Sequence, residues 1–197
     1  MQPLPPSFYD RDALDVAYDL VGCEIAHAGV RVRIAEVEAY RFPGDTANHA
    51  RAGRTARNSP MWGPPGRAYI YRCYGLHRRL NLVTGADGQP AAVLIRGAEP
   101  IDGWHTIRSR RGVDGPAAMN GPGKVGAALG IAVAQSGSAL DAELAVFPRT
   151  CRPRMVAGAR IGIDYATQED RDAPWRVALA ESAWVGHRRQ LFPIAPR

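Results

Sequence analysis

The sequence Arg31-Val-Arg-Ile-Ala-Glu-Val-Glu-Ala-Tyr40 has the two-residue alternation of a β-strand. Because side chains in a strand repeat every two residues, Glu36, Glu38 and Tyr40 share one face. An isolated Glu-x-Glu pair is most often solvated or ion-paired. On a concave, partly dry surface beside aromatic groups, however, a carboxylate becomes a candidate general base. We therefore single out Glu38 for that role, with Glu36 as its rival.

A strongly basic segment follows this strand. Between Arg41 and Arg79 there are eight arginines and one acidic residue, so the local charge of +7 exceeds the +6 of the whole protein. Planar side chains are interspersed among these arginines: His49, Trp62, Tyr69, Tyr71, Tyr74 and His77. Clustered positive charge with side chains on which bases can stack is typical of nucleic-acid binding.

Length and composition predict an ordinary globular protein. With 197 residues, 46% hydrophobic and 22% charged, the chain fits a single domain over residues 1–197. The longest aliphatic run, residues 91–95, is far below the ~20 apolar residues that cross a bilayer. We expect a cytoplasmic monomer that does not contact membranes. The three cysteines are widely spaced, so no disulfide framework, metal site or cofactor is expected.

Turn signals and hydrophobic periods predict a mixed α and β fold. A first helix, capped by Ser7 or Asp10, runs to about Leu20, and later helices follow at 101–110 and 122–129. Strands are predicted at 23–27, 30–40, 68–73, 79–83, 91–96, 146–148, 159–163 and 177–180. An antiparallel meander is the simplest arrangement for the strands at 68–96.

Two segments lack a regular period. Residues 41–66 form a long loop that is either functional or disordered, because structureless loops of this length are uncommon in compact domains. A glycine-rich loop spans 112–120 and leads to Gly121-Pro-Gly-Lys124, which opens a helix. Free N–H groups at a helix start favour a phosphate, although a plain helix start fits equally well.

Tyrosines at alternate positions of one strand are usually packing residues, and this applies to Tyr69 and Tyr71. Tyr74 differs, because it falls at the end of that strand beside Gly75 and among arginines. An exposed aromatic side chain there suits a wedge between base pairs. His49 lies in the Asn- and Arg-rich loop, where it either faces solvent or stacks on a base.

Eight short motifs follow one another between Glu36 and Lys124. They are Glu36-Val-Glu-Ala-Tyr40, Asn48-His-Ala-Arg51, Gly53-Arg-Thr-Ala-Arg-Asn58, Met61-Trp-Gly-Pro-Pro-Gly66, Tyr69-Ile-Tyr-Arg-Cys-Tyr-Gly75, Leu80-Asn-Leu82, Val93-Leu-Ile-Arg-Gly-Ala-Glu-Pro100 and Gly121-Pro-Gly-Lys124. Their order and spacing resemble those of the alkyladenine (3-methyladenine) DNA glycosylases over roughly residues 14–165. The resemblance implies one compact α/β domain of the α+β type, in which helices flank a curved, mainly antiparallel sheet.

The resemblance also implies a function. The family flips damaged purines out of double-stranded DNA and hydrolyses the N-glycosidic bond without a cofactor, and candidate lesions include 3-methyladenine, hypoxanthine and ethenoadenine. Residues matching Glu38 and Arg96 activate water and hold it. Residues matching Tyr40, His49 and Tyr71 sandwich the extruded base. The residue matching Tyr74 fills the gap in the duplex, and the one matching Asn81 rejects ordinary guanine.

Contacts to the DNA backbone are expected from Arg54, Arg57, Arg72, Gly123 and Lys124. Lys124 is the only lysine, and a glycosylase that also cuts the strand commonly needs an amine, so we expect hydrolysis alone. The chain departs from the family at Arg78 and Arg79, where relatives often carry bulkier apolar or aromatic residues. This departure bears on DNA affinity and on the range of lesions.

Two other functions account for part of the pattern. A non-enzymatic nucleic-acid-binding module explains the arginines and tyrosines, but it gives Glu38 no task. A metal-dependent nuclease requires more acidic ligands than Glu36 and Glu38, and no third ligand is evident.

Overall fold

The structure is a computed structural model that describes residues 1–195 of the chain. The described residues form one large open antiparallel sheet with a few short helices, which confirms the predicted α+β class. The strands are β1 Glu24–His27, β2 Val30–Tyr40, β3 Ala68–Cys73, β4 His77–Thr84, β5 Ala91–Asp102, β6 Leu144–Phe147, β7 Met155–Gly158, β8 Arg176–Leu179 and β9 Phe192–Pro193. The helices are α1 Pro6–Tyr9, α2 Ala13–Leu20, α3 Trp104–Arg111, α4 Pro122–Leu129 and α5 Gln168–Asp172.

Strand β2 lies at the centre of the sheet. The strand order is β3-β4-β5-β2-β8-β7-β9, and β1 joins β2 to β6. The predicted meander of β3, β4 and β5 is present. Apolar side chains of β2 and β5, including Val32, Ile34 and Ile95, are fully buried in a core that also contains residues of α2 and α4. Burial of this shared face is the main contribution to folding.

The N-terminal helix differs from its prediction. The chain forms two helices, α1 and α2, and the cap of the second is neither Ser7 nor Asp10. The Asp12 side chain accepts a hydrogen bond from the Leu14 N–H at 2.8 Å and so satisfies a free donor of the first turn. The segment from Pro5 to Asp12 offers several capping residues, and local sequence does not decide among them.

Strand β5 extends beyond its predicted end. Residues Ile101 and Asp102, predicted to be helical, belong to β5 instead, and Asp102 lies opposite Arg31 of β2 after an irregularity at Ile101. The helix therefore begins only at Trp104, after Gly103. A Cβ at Gly103 would lie 2.4 Å from the carbonyl oxygen of Gly29, so the close approach of the β1–β2 turn requires glycine there.

The strand predicted at 159–163 is wrong, because the paired strand is β7, which ends at Gly158. The backbone of the next residues leaves the sheet and turns toward β2. The Ile161 N–H donates to the Glu38 carboxylate at 2.7 Å instead of to a neighbouring strand. The alternation of side chains in the sequence does not show whether a backbone N–H will bond to a neighbouring strand or to a side-chain carboxylate.

A buried ion pair joins β2 to β8. Glu36 and Arg176 are both fully buried, and Arg176 Nη1 lies 3.1 Å from Glu36 Oε1. The second carboxylate oxygen accepts the Gly186 N–H at 2.9 Å. Arg176 also donates to the carbonyl oxygens of Ala159 and Gly186. These bonds fasten the segment around Gly186 to the centre of the sheet.

Replacing Glu36 by alanine is expected to lower the free energy of unfolding by about 3–5 kcal/mol, because Arg176 and Arg96 would lose their buried counter-charge. Urea unfolding followed by circular dichroism measures this change. The control is Glu181→Ala, which breaks an exposed pair with Arg154 and should leave the urea midpoint nearly unchanged. Equal midpoints for both variants would contradict the importance of the buried pair.

Candidate functional site

Glu38 is fully buried near the end of β2, and its partners come from β2 itself, from β5 and from the segment after β7. Its Oε2 accepts the Tyr40 hydroxyl at 2.9 Å, and its Oε1 accepts the Ile161 N–H at 2.7 Å. Arg96 Nη1 of β5 lies 3.3 Å from the same Oε1. The orientation of the carboxylate is therefore fixed from three sides.

Arg96 bridges the two glutamates of β2. Its Nε lies 3.3 Å from Glu36 Oε1, while Nη1 faces Glu38. Burial by itself would lower the pKa of Arg96, but the Glu38 and Glu36 carboxylates raise the pKa above its ordinary value. Two register shifts flank Glu36 in the pairing of β2 with β5, so the strand is irregular where the acids meet the arginine.

A cavity of about 380 Å³ opens beside this carboxylate. That size falls within the range of small-ligand sites, roughly 300–1,000 Å³. Several side chains predicted from the sequence line it: Tyr40, His49, Arg57, Tyr71, Arg72, Tyr74 and Asn81. Glu38 and Arg96 do not line it, because they lie beneath the cavity wall. Tyr40 and Ile161, which line the cavity, both bond directly to Glu38.

Burial and the neighbouring carboxylate keep the Tyr40 hydroxyl protonated. Desolvation and the charge of Glu38 both raise the pKa of Tyr40 well above its usual value. Tyr40 therefore remains a hydrogen-bond donor to Glu38 throughout the physiological range. Its ring is also held in place by the Arg160 guanidinium, whose Cζ lies 4.9 Å from the ring centroid.

His49 forms another part of the cavity wall. Its ring packs edge-on against Tyr71, with 4.8 Å between ring centroids, and its Nδ1 lies 3.0 Å from the Tyr69 hydroxyl. Burial lowers the pKa of His49 to about 4, with further lowering from Arg57, Arg51 and Arg79. The imidazole is therefore neutral at pH 7. Asn81, on the neighbouring strand, donates to the Tyr69 carbonyl oxygen at 3.0 Å.

The long loop at 41–66 is ordered, so the disordered alternative that its sequence left open is wrong. Buried Asn48 donates to the carbonyl oxygens of Arg41 and Pro90 at 2.7 and 2.8 Å. Buried Asn58 donates to the carbonyl oxygen of His49 at 3.0 Å. These side-chain to backbone bonds replace the ladder that a strand would supply.

Sequence reasoning missed the strongest anchor of this loop. Arg160 and Asp45 form a pair whose side chains are fully buried, with Nη1 to Oδ2 at 2.6 Å and Nη2 to Oδ1 at 2.9 Å. Arg160 also donates to the Ala39 carbonyl oxygen, beside Tyr40. Two signals for this pair were available in the sequence. Arg160 is an arginine within the apolar segment 159–163, and Asp45 is the single acid of the basic segment.

The outer rim of the cavity is basic and carries an exposed aromatic side chain. Tyr74 is 90% exposed at the β3–β4 turn, with a positive φ of 50°. Arg54 and Arg72 are also exposed, and Arg57 places its Cζ 4.8 Å from the Tyr71 ring centroid. Among residues 1–195, none of these three arginines lies within 4 Å of a carboxylate, which leaves their charge available.

The start of α4 lies beside this rim. A Cβ at Gly123 would lie 2.8 Å from the Cβ of His77 at the start of β4, so only glycine permits this packing. Lys124 donates to the Asn120 side chain at 2.7 Å and does not line the cavity. Gly123 and Lys124 therefore lie next to β4, the strand that follows Tyr74. The contact of these two residues with a DNA phosphate stays a prediction.

The family model for methylpurine-DNA glycosylase (MPG) matches residues 7–183. The chain belongs to this family. A methylpurine-DNA glycosylase hydrolyses an N-glycosyl bond, so the chain is an enzyme, and the alternatives of a pure binding module and a nuclease are set aside. In addition, no group of three His, Cys, Asp or Glu side chains within residues 1–195 is placed to hold a metal ion.

Individual relatives cover nearly the full chain. A Nitrosococcus oceani protein, provisionally named 3-methyladenine DNA glycosylase, is 54% identical over 193 residues, which are 96% of each chain. The DNA-3-methyladenine glycosylase of Arabidopsis thaliana is 47% identical over 191 residues, which are 94% of this chain and 74% of the relative. Within residues 1–195, no helix is long and apolar enough to cross a membrane.

We expect His49 to titrate with a midpoint near pH 4, because its pKa is lowered to about 4. Because the folded chain holds the imidazole neutral down to about pH 4, whereas an unfolded histidine protonates near pH 6.5, the associated stability is lost as the pH falls between these values. A proton–nitrogen NMR titration, with His49→Gln to assign the signal, measures the midpoint directly. A midpoint near 6.5 would contradict the buried, cation-flanked environment.

Proposed function

We propose that this enzyme flips damaged purines, of the 3-methyladenine type and related lesions, out of double-stranded DNA and hydrolyses their N-glycosidic bond with a water activated by Glu38. The observation that carries the proposal is the buried carboxylate, held by Arg96, Tyr40 and the Ile161 N–H directly behind the wall of an aromatic cavity. Removing a carboxylate from water costs free energy, so a buried carboxylate beside a cavity is a candidate for a catalytic group.

Base flipping is required because the glycosidic bond cannot be reached inside a stacked duplex. In the proposed complex the extruded base enters the cavity and stacks between Tyr40 on one side and His49 with Tyr71 on the other. Tyr74, exposed at the tip of its turn, occupies the space that the base leaves. Asn81 lines the cavity and contacts the edge of the base.

In the chemical step, Glu38 takes a proton from water as the water attacks C1′ of the deoxyribose. The electrons of the glycosidic bond leave with the purine, and the carboxylate stabilises the positive charge that develops on the sugar. Tyr40 and Arg96 hold the two carboxylate oxygens in place during this step. Damaged purines unstack at lower cost than normal ones, which favours the flipping step. They are also better leaving groups, which favours cleavage of the glycosidic bond.

The product is an abasic site in an intact strand. Strand cleavage by this type of enzyme uses an amine that attacks the sugar. Lys124 donates to Asn120 and lies outside the cavity lining, so it does not supply that amine to the flipped nucleotide. Every residue in the proposal comes from one chain, and a monomer is therefore sufficient.

The Glu38→Gln variant is expected to reduce base release by about 10²–10⁴-fold, because the amide cannot accept the proton from water. The experiment follows single-turnover release from a lesion-bearing duplex, with alkali to reveal abasic strands and fluorescence anisotropy to measure binding. DNA binding should be retained. The matched control, Glu24→Gln, changes a carboxylate of β1 that pairs with Arg31 of β2, and this variant should release base normally. Release at the wild-type rate by Glu38→Gln would refute the proposal.

Replacing Tyr74 by alanine is expected to weaken binding to a lesion-bearing duplex by about tenfold while binding to an undamaged duplex changes little. The reason is that the wedge acts only after a base has left the stack. Leu76→Ala provides the control, because Leu76 is 81% exposed in the same turn. If Tyr74→Ala weakens binding to both duplexes equally, Tyr74 is only a general DNA contact.

A further inference from the structure

Arg79 lies inside the cavity, although the resemblance assigns it no task. It is a half-buried residue of β4, directly opposite Tyr71 of β3 in the strand pairing, and it lines the cavity with Tyr71. Burial raises the pKa of Tyr71, and the nearby Arg79 guanidinium offsets part of this rise. The positive charge of Arg79 therefore lies next to any ligand that occupies the cavity.

No carboxylate neutralises this arginine. Within residues 1–195, no acidic side chain lies within 4 Å of Arg79, and its buried Nε lacks a hydrogen-bond partner. A half-buried guanidinium with unsatisfied donors gains free energy when a ligand supplies an acceptor.

The cavity as a whole is positive. Arg57, Arg72 and Arg79 line it, and no aspartate or glutamate belongs to its lining. The two glutamates beneath the wall do not offset this charge, because Arg96 and Arg176 already pair with them. The lowered pKa of His49, caused first by burial and then by nearby arginines including Arg79, is in accord with this positive environment.

We propose that Arg79 is a specificity-determining residue that favours neutral purines with a hydrogen-bond acceptor on their edge, such as hypoxanthine, over purines made cationic by ring methylation. This inference rests on the proposed function of the same cavity. Two effects act together. A fixed charge in a partly dry cavity repels a cationic base, and the guanidinium N–H groups donate to a carbonyl or ring nitrogen.

Arg79 carries this selectivity because of its burial. Arg72 and Arg57 also line the cavity, but both are exposed, and water and salt screen an exposed charge. In the complex they also lie at the rim, where DNA phosphates would neutralise them. Arg79 is half-buried, so its charge is screened less than that of the two exposed arginines and acts more strongly on the base.

The test compares single-turnover release of hypoxanthine and 7-methylguanine from duplexes of one sequence. Both bases carry an oxygen at C6, but only 7-methylguanine is cationic in DNA. In Arg79→Leu the ratio of 7-methylguanine to hypoxanthine release should rise about tenfold over wild type, because the repulsion and the donors are both lost. Using the ratio between variants cancels the different intrinsic labilities of the two bases.

Arg79→Gln separates the two effects, because glutamine keeps a donor without the charge. It should raise 7-methylguanine release to the level of Arg79→Leu while keeping more hypoxanthine release. The matched control is Arg78→Leu, an exposed neighbour on the same strand that does not line the cavity. Its loss of positive charge should slow both reactions equally, and the ratio should stay at the wild-type value.

The outcomes distinguish this inference from the proposed function. If wild-type enzyme releases neither base, the inference fails, and the proposed function fails as well if 3-methyladenine is not released from a matched duplex. If wild type releases both bases but the ratio is unchanged in Arg79→Leu and Arg79→Gln, only the role of Arg79 is refuted. Thermal unfolding of each variant, together with binding to a duplex that contains an abasic site, shows that the altered ratios come from folded protein.

Discussion

The structure depends on burying two carboxylates of one strand at the centre of the sheet. Glu36 and Glu38 are both fully buried, which is costly unless each charge is paired and hydrogen-bonded. Arg96 contacts both, and Arg176 and the Gly186 N–H complete the shell of Glu36. The division of partners matters for function. Glu36 is bonded mainly to the structural framework, whereas Glu38 is bonded to Tyr40 and Ile161, two residues that line the cavity.

A second buried pair shapes the cavity. Asp45 and Arg160 are 115 residues apart in sequence, yet they connect the irregular loop that carries His49 to the segment behind Tyr40. The pair thus connects two parts of the wall of the proposed base-stacking site. A wall held by buried bonds loses less conformational entropy when a base enters than a mobile wall would. Lesion selection then depends on the chemistry of the lining, because the walls do not adapt freely to each base.

The parts of the fold predicted from sequence are those governed by local rules. The bounds of β2, β3 and α4 match their predictions, since strand alternation and a proline at the first turn act over a few residues. The residues expected around the base also line one cavity. Features that depend on distant partners were missed. The order of the loop at 41–66 comes from bonds such as Asn48 to Pro90, and Arg160 belongs to the site instead of the predicted strand.

The bonds from Arg176 and Gly186 to Glu36 have a consequence for how the enzyme is made. Both residues follow almost the whole sheet in the sequence, yet they complete the shell around the acids of β2. Glu36 therefore gains two of its three buried partners only from the last part of the chain, after Arg96. The centre of the sheet is completed late in synthesis, because it needs residues that leave the ribosome near the end.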